Sequence, residues 1–441
     1  MSPTNGHTEN ILQIVVLQLI VIVASSRVFG MLFRRFGQPL VCGEIAAGLV
    51  LGPSFFGGVF PALFHRIFDQ SVSQVFSILS QIGLILLMFL IGLDFDFDHL
   101  RQNRGTALRI SSAGIVLPFT FGFLLGRFMH SALHLGGRWL NLSLFMAAAM
   151  SITAIPILGR IMVELNINRT RIGTLTISAA AADDASGWII LAVVTALVRS
   201  TFEPLKMFLM VLETLTFMVF MVWIVRPLLK RWTAYHLRTH ACKISATGLA
   251  ITLIIVFLAA ALTNLIGIFS IFGAFFLGSL LFDQQEFREA IKGYMQDFVT
   301  VFFVPIFFTY TGLRTDIGTM AGGSLWVMCG LVLVTAFVGK FGGCSLAARL
   351  SGVPWREASM IGVMMNTRAL MELIVINIGY ELGIIPKSVF FMLVFMAVVT
   401  TYVTTPALRR LVRSSELATD YLKSDFARNV ERVQVRAGAE A

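Results

Sequence analysis

Two aspartates, Asp183 and Asp184, stand side by side in a stretch that is otherwise apolar, running from Ile172 through Ala179–Ala182 to Ile189–Leu191. An ionised aspartate at the centre of a membrane-spanning helix costs roughly 2.5–3.5 kcal/mol on translocon-derived scales. An adjacent pair there points to function, most simply the binding of a proton or a cation. Consecutive helical residues project about 100° apart, so the two carboxylates cannot serve one point equally. One is expected to meet a cavity and the other a neighbouring helix.

Three further segments carry residue types that suit such a site. Lys340 lies in Val338-Gly339-Lys340-Phe341-Gly342-Gly343, where flanking glycines allow another helix close; it is the natural partner for a buried carboxylate. Ser151-Ile152-Thr153-Ala154-Ile155-Pro156 places a proline within an apolar run. A proline there removes a backbone donor and disrupts the preceding turn. The hydroxyls of Ser151 and Thr153 and the freed carbonyls are then oxygen ligands at membrane depth, and such breaks are tolerated where they line a cavity. Asn366-Thr367-Arg368-Ala369-Leu370-Met371-Glu372 offers an amide and a hydroxyl, while Arg368 and Glu372, four apart, read as a structural ion pair along one face. Glu44 and Glu213 are candidates for proton relays, but single acids near helix ends or interhelical contacts are more often structural. Arg160 is expected at a membrane boundary, and Asp94, Asp96 and Asp98 as a solvated acidic mouth.

The elements that must position these residues are helices in a bilayer. The chain is 57% hydrophobic and only 13% charged, where soluble proteins average about 25% charged. Its net charge of +10 does not indicate a nucleic-acid partner, because the basic residues punctuate apolar runs and form no patch with interleaved aromatics. They read as topology signals and contacts to anionic headgroups. Cys42, Cys242, Cys329 and Cys344 have no metal-ligand spacing and read as packing residues. Residues 1–10 carry no Lys or Arg and are followed by no small-residue cleavage site, so no removable signal peptide is expected. No Gly-x-Gly-x-x-Gly opens a strand-helix unit, so no nucleotide-binding regulatory domain is expected either.

A window of about 19 residues finds about thirteen spans, with cores near 11–30, 39–52, 75–93, 107–128, 141–164, 173–198, 206–228, 243–264, 267–283, 298–313, 324–348, 357–380 and 387–407. The second is expected to start at Pro39 and to stop at Gly52-Pro53. With the N-terminus outside, segments such as Arg34-Arg35, Arg101 to Arg109, Arg226 to Lys243 and Arg409 to Arg436 all fall on the cytoplasmic side. Basic residues there outnumber those opposite by about three to one, which supports an N-out, C-in arrangement.

Gly92-Leu93-Asp94-Phe95-Asp96 is echoed by Gly312-Leu313-Arg314-Thr315-Asp316, and Ala47-Gly48-Leu49-Val50-Leu51 by Leu277-Gly278-Ser279-Leu280-Leu281. The echoes lie an odd number of spans apart, hence in opposite orientation. They suggest an inverted repeat, the build of secondary transporters whose sites form where broken helices meet. The expected organisation is an extracytoplasmic N-terminus over 1–10, a membrane domain over 11–407 and a short cytoplasmic tail over 408–441. Within the membrane domain, repeat one covers about 11–198, a linker helix about 206–228 and repeat two about 243–407.

Several motifs in this order resemble the cation:proton antiporter superfamily, in the branch of sodium/proton antiporters, potassium-efflux antiporters and plant cation/proton exchangers. They are Gly37-Gln38-Pro39 with Gly43-Glu44 to Gly52-Pro53; Leu90-Ile91-Gly92-Leu93-Asp94; Thr153-Ala154-Ile155-Pro156; Asp183-Asp184; Ile271-Phe272-Gly273-Ala274-Phe275; Pro305-Ile306-Phe307-Phe308 with Thr311-Gly312-Leu313; and Asn366-Thr367-Arg368 with Leu370-Met371-Glu372-Leu373. The resemblance implies an all-α polytopic fold of about thirteen helices in inverted six-helix repeats. It also implies a homodimer in the plasma, or bacterial inner, membrane and no cofactor. Asp184 matches the family's ion- and proton-binding carboxylate, with Thr153 beside it for the transported monovalent cation. Asp183 matches the neighbour that pairs with a buried lysine, and Lys340 that lysine. The segments around Thr153 and Asn366 match two crossing broken helices, lined by Ser151, Thr153, Pro156, Asn366 and Thr367. Ala369 departs from the family, which has Gly there.

The function implied is antiport of a cation, Na+ or K+, against protons by alternating access. The alternatives are a cation uniporter or channel of the same fold and a proton-coupled exporter of an organic cation. A lysine in the path argues against the channel. Enzymatic readings fail on geometry: an intramembrane aspartyl protease needs two carboxylates facing one water, and adjacent helical aspartates diverge. A prenyl-transferring enzyme needs acidic motifs on two helices to hold magnesium.

Overall fold

A computed structural model of the 441-residue chain describes residues 3–36, 38, 40–68, 72–94, 104–153, 155–165, 167, 170–199, 204–239, 244–368 and 370–413. The described residues form helices and connecting turns and contain no strand. In chain order the principal helices are α1 (Pro3–Arg35), α2 (Leu40–Leu51), α3 (Ser73–Leu93), α4 (Arg104–Ala132), α5 (Trp139–Ser151), α6 (Ile155–Glu164) and α7 (Arg171–Arg199). They continue with α8 (Pro204–Phe220), α9 (Arg226–Thr239), α10 (Ala246–Ile266), α11 (Ser270–Leu280), α12 (Gln285–Phe298) and α13 (Val304–Leu313). The last are α14 (Gly323–Phe337), α15 (Gly343–Leu350), α16 (Trp355–Met365), α17 (Leu370–Glu381) and α18 (Lys387–Arg413). Three π-helical turns join neighbours without a loop: Met221–Val225 between α8 and α9, Val299–Phe303 between α12 and α13, and Val338–Gly342 between α14 and α15.

Among the described residues ten helices are long and apolar enough to cross a membrane. The three expected positions without such a helix are informative. At 141–164 and 357–380 the chain is broken into α5–α6 and α16–α17, and at 267–283 it forms only the short apolar α11. Some expected boundaries are corrected. The first helix already begins at Pro3, so residues 3–10 are helical; the seventh continues through its π turn to Thr239; and the tenth begins at Gln285. The last helix runs on to Arg413. Pro39, Ala369, Cys242, Asp96, Asp98 and residues 414–441 lie outside the described residues.

The chain divides into two compact units, each drawing on both halves of the expected repeat. The first contains Met1–Ser26, Ala47–Asp96 and Ala192–Leu313. Its core joins Phe89 and Leu93 of α3 to Phe217, Val256, Ala274, Leu277 and Phe287. Here α3 and α11 meet backbone to backbone: a Cβ on Gly92 would strike the carbonyl oxygen of Phe275, and one on Gly278 that of Phe89. Local signals set its helix ends. Ser245 caps α10 by accepting the Gly248 N–H at 3.1 Å, and Gly267, at φ 98°, closes it in the left-handed region. Of the acids read as a mouth, Asp94 pairs with Lys292 at 2.7 Å. Glu213 is exposed on α8.

The second unit contains Arg27–Ala46, Phe97–Leu191 and Arg314–Ala441. In it α4 packs along α5, and α18 packs against α14, α16 and α17. Glu44 is buried in this unit. The unit holds every residue of the expected ion site.

Candidate functional site

The first break follows from Pro156. A helical proline clashes with the carbonyl four residues back, here Ile152, and supplies no N–H to it. Ile152 is accordingly extended (φ −81°, ψ 146°), and α5 stops at Ser151. Pro156 then sits in the first turn of α6, where its missing N–H costs nothing. The second break has no proline: α16 ends at Met365, with Asn366 at φ −83°, ψ 5° as its cap. It is fixed by side chains instead. The Arg368 N–H donates to Thr401 Oγ1 at 3.2 Å, and Thr153 Oγ1, whose one proton points mainly to Asp183, lies 3.2 Å from the Met365 carbonyl oxygen. The hydroxyl of one break therefore touches the backbone of the other.

Asp183, near the middle of α7, is fully buried and accepts hydrogen bonds from three other segments. Thr153 Oγ1 donates to its Oδ2 at 2.5 Å, Ser111 Oγ of α4 donates to its Oδ1 at 3.2 Å, and Lys340 forms an ion pair with Oδ2. Lys340 is itself completely buried, in the π turn Val338–Gly342. Its ammonium has three donors, and all are used: on Asp183, on the Ser151 carbonyl, and on the Gly114 carbonyl at 2.8 Å. Glycines bring α4 this near. A Cβ on Gly339 would lie 3.0 Å from Pro118 Cα, and one on Gly343 would lie 3.0 Å from the Ala113 carbonyl oxygen. π turns recur at functional positions in helices, and this one carries the buried lysine.

Arg368 does more than pair with Glu372. Its guanidinium is fully buried, lies 3.2 Å from Glu372 Oε1, and donates to the carbonyls of Ala149 (3.2 Å), Met150 (2.8 Å) and Ala336 (3.4 Å). Together with Lys340 on Ser151 and the Ser151 hydroxyl on Ala148 at 2.9 Å, this covers all the last carbonyls of α5. These groups are orphaned by helix geometry and carry the negative end of the helix dipole. Lys340 and Arg368 cover three of these carbonyls and the Ser151 hydroxyl covers the fourth.

Asp184 is the opposite case. It is fully buried, and neither carboxylate oxygen has a hydrogen-bond partner among the described residues. Asn366 Oδ1 and Thr367 Oγ1 in the second break, and Glu372 Oε2, are likewise buried and without one. Buried polar groups are otherwise nearly always satisfied, and an isolated buried carboxylate must be neutralised. A proton or a cation on Asp184 does that. No group of three or more His, Cys, Asp or Glu side chains among the described residues could hold a metal ion.

Sequence reasoning passed over Ser111 and the Gly114 carbonyl. Ser111-Ser112-Ala113-Gly114 in an apolar span was the available signal. The side chains of Pro156 and Arg160 lie outside the described residues. Cys42, Cys329 and Cys344 are buried free thiols.

Away from the site, Asp283 accepts from Lys230 and lies 3.3 Å from Arg226. Burial alone would raise its carboxyl, but the Lys230 hydrogen bond and charge, with Arg226 and Gln284, hold it below the ordinary carboxylate value.

A family model described as sodium/hydrogen exchanger, transmembrane, matches residues 20–414. The Na(+)/H(+) antiporter NhaS4 of Synechocystis is 40% identical over 401 residues, covering 90% of this chain and 97% of that protein. Cation/H(+) antiporter 20 of Arabidopsis thaliana is 36% identical over 411 residues, and K(+)/H(+) antiporter 1 of Saccharomyces cerevisiae 31% over 415. The chain spans about half the length of those two, 48% and 47%, with 91% and 92% of itself aligned. Among solved structures, the sodium proton antiporter MjNhaP1 from Methanocaldococcus jannaschii at pH 8 superposes with a TM-score of 0.59. That alignment covers 94% of this chain and 99% of that chain at 14% identity, a likeness of fold.

Proposed function

The chain belongs to the sodium/hydrogen exchanger family, and on that premise we propose that it exchanges a monovalent cation, Na+ or K+, for protons, with Asp184 as the shared site. It is a transporter and not an enzyme. The observation that carries the site assignment is the contrast within α7: among the described residues Asp183 is held by three side chains, and Asp184 by none. A buried carboxylate that holds either a proton or a dehydrated cation, but not both, couples their opposite movements by linkage. Asp183 and Lys340 form the adjacent reserve. When a cation draws on Asp183, Lys340 loses its counter-ion, remains held by the Gly114 and Ser151 carbonyls, and can release a proton.

The cavity assigned to the cation is lined by the two breaks, with Ser151, Thr153 and Pro156 on one and Asn366 and Thr367 on the other. Thr153 supplies a hydroxyl ligand beside the aspartates. Access alternates as the broken-helix core moves, and the inverted repeat provides the two related half-cycles. The basic-residue bias supports insertion N-out and C-in in the plasma membrane, the bacterial inner membrane in a bacterial host. A homodimer rests on the family resemblance; Phe208, Leu212, Leu215 and Val219 make one exposed apolar face of α8, open to lipid or to a second copy.

The test is cation-induced pH change in proteoliposomes, with Na+, K+ and Li+ scanned with and without an imposed voltage. The wild type is expected to respond to at least one ion, with Asp184→Asn inactive yet folded and inserted. Exchange retained by Asp184→Asn would remove Asp184 from this role.

A further inference from the structure

The same unit carries a groove that the transport reading does not use. It has a volume of about 410 Å³, within the roughly 300–1,000 Å³ of small-molecule pockets. Phe121, Leu124 and Phe128 of α4 form one wall, and Leu331, Val334 and Val338 form the other. The two walls run antiparallel. Gly339 lies on Pro118, Gly343 on Ala113, and Cys344 Sγ donates to the Ile110 carbonyl at 3.8 Å. In that register Phe121 stands opposite Val338, and Phe128 opposite Leu331. Eight residues of helix give the groove a length of about 10 Å, two thirds of one leaflet of a hydrocarbon core about 30 Å thick. Its walls are open to the surroundings: Leu124 is 57%, Val334 59% and Val338 52% exposed.

What stands at each end names the occupant. At the Phe128 end, Arg127 lies with its guanidinium 4.7 Å over the ring of Trp139. A stacked arginine keeps its in-plane N–H donors for an oxyanion, and Arg127 makes no ion pair among the described residues. The helix that carries Arg127 brings no acid to it, since the sequence holds no Asp or Glu between Asp98 and Glu164. Trp326 of α14 falls at the same end, as half-exposed as Trp139. Paired tryptophans mark the headgroup level of a bilayer. At the other end, Val338 opens the π turn that carries Lys340 two residues on.

The geometry points to a phospholipid site: one acyl chain of an anionic lipid lies in the groove, its phosphate rests on Arg127, and the chain's foot packs against the Lys340 turn. An arginine at headgroup level attracts an anionic headgroup by charge; with the N-terminus outside, Arg127 lies at the extracytoplasmic face and the lipid belongs to that leaflet. The lipid thus supports, from the outer side, the turn that holds Lys340 against Asp183. The inference rests on the transport reading only in taking the chain to span a bilayer, and its readout is bound lipid, which does not depend on exchange.

The experiment is native mass spectrometry of the purified protein with phosphatidylglycerol or phosphatidylcholine of identical chains. The wild type should retain one phosphatidylglycerol about fivefold more strongly than phosphatidylcholine, the factor one arginine near the headgroups supplies. Arg127→Ala, an exposed position, should reduce that preference to near parity, and Val334→Trp, whose indole fills the groove, should lose the retained lipid. Both variants should keep the wild-type elution and melting temperature. Equal retention of the two lipids by the wild type, or unchanged retention by both variants, would overturn the site. So would a change in oligomeric mass on Val334→Trp, which would place a second copy of the chain on the groove.

Discussion

The two helix breaks of the second unit serve opposite ends. At the first, every terminal carbonyl of α5 is claimed, by Lys340, by Arg368 or by the Ser151 hydroxyl, and Thr153 is tied to Asp183. At the second, the Asn366 and Thr367 side chains leave buried oxygens without partners among the described residues, as does Asp184 on α7. Burial is the same on both sides and satisfaction is not. A satisfied buried network rigidifies its surroundings, whereas a buried carboxylate without a partner must be neutralised. The saturated α5 carbonyls are read as frame, and the unsaturated side chains, with the Thr153 hydroxyl oxygen beside them, as the ion's contacts.

The largest effect expected is on exchange. Asp184→Asn should abolish cation-driven proton movement in proteoliposomes while leaving the melting temperature near that of the wild type, because no protein contact is lost. A frame residue should behave in reverse. Lys340→Met strands Asp183, and removing one partner of a buried pair costs about 3–5 kcal/mol. A large fall in melting temperature is therefore expected, partly recovered in Asp183→Asn with Lys340→Met; a full additive loss in the double variant would mean the two do not act as a pair. Arg368→Met uncovers the α5 carbonyls as well as Glu372 and should destabilise by a similar amount, read in the same assay. Arg368→Lys should recover little, since an ammonium cannot reproduce the guanidinium fork.

Ser111→Ala should be milder. It removes one hydrogen bond of about 1 kcal/mol and should shift the pH profile of exchange more than its maximum, because it alters only the support of Asp183. The smallest effect belongs to Asp283→Asn, in a partly exposed pair of a class worth about 0–1 kcal/mol. Asp283 is held below its unfolded value, so its contribution is present above that value and fades only as pH falls through the lower folded one. The pair is intact throughout the neutral range, and the variant should leave the pH profile of exchange unchanged there.

Much of this was legible in the sequence, for reasons tied to range. The break at Pro156 is local, a property of one ring and the carbonyl four residues before it, and so are the Ser245 cap and the Gly267 stop. Hydropathy placed the long helices, but it could not see that 141–164 and 357–380 are each two helices, because a break changes backbone angles without changing polarity. The second break, with no proline, was visible only through the inverted repeat, which pairs it with the first, and through resemblance. Ser111 was missed because a serine in an apolar span usually bonds its own helix; its reach to Asp183 depends on how α4 lies. Arg368 was read as the partner of Glu372 because that contact is four residues away. Its larger task, closing the end of α5, links positions far apart in the chain, and nothing in the local pattern announces it.

The central claim is that Asp184 holds either a proton or the cation. It is tested most directly by protons released when the transported cation is added to purified protein in weakly buffered detergent solution, wild type beside Asp184→Asn. Release from the wild type that saturates with cation and is absent from Asp184→Asn is the predicted result. Equal release from the two would contradict it, and would move the exchange site off the unpartnered carboxylate.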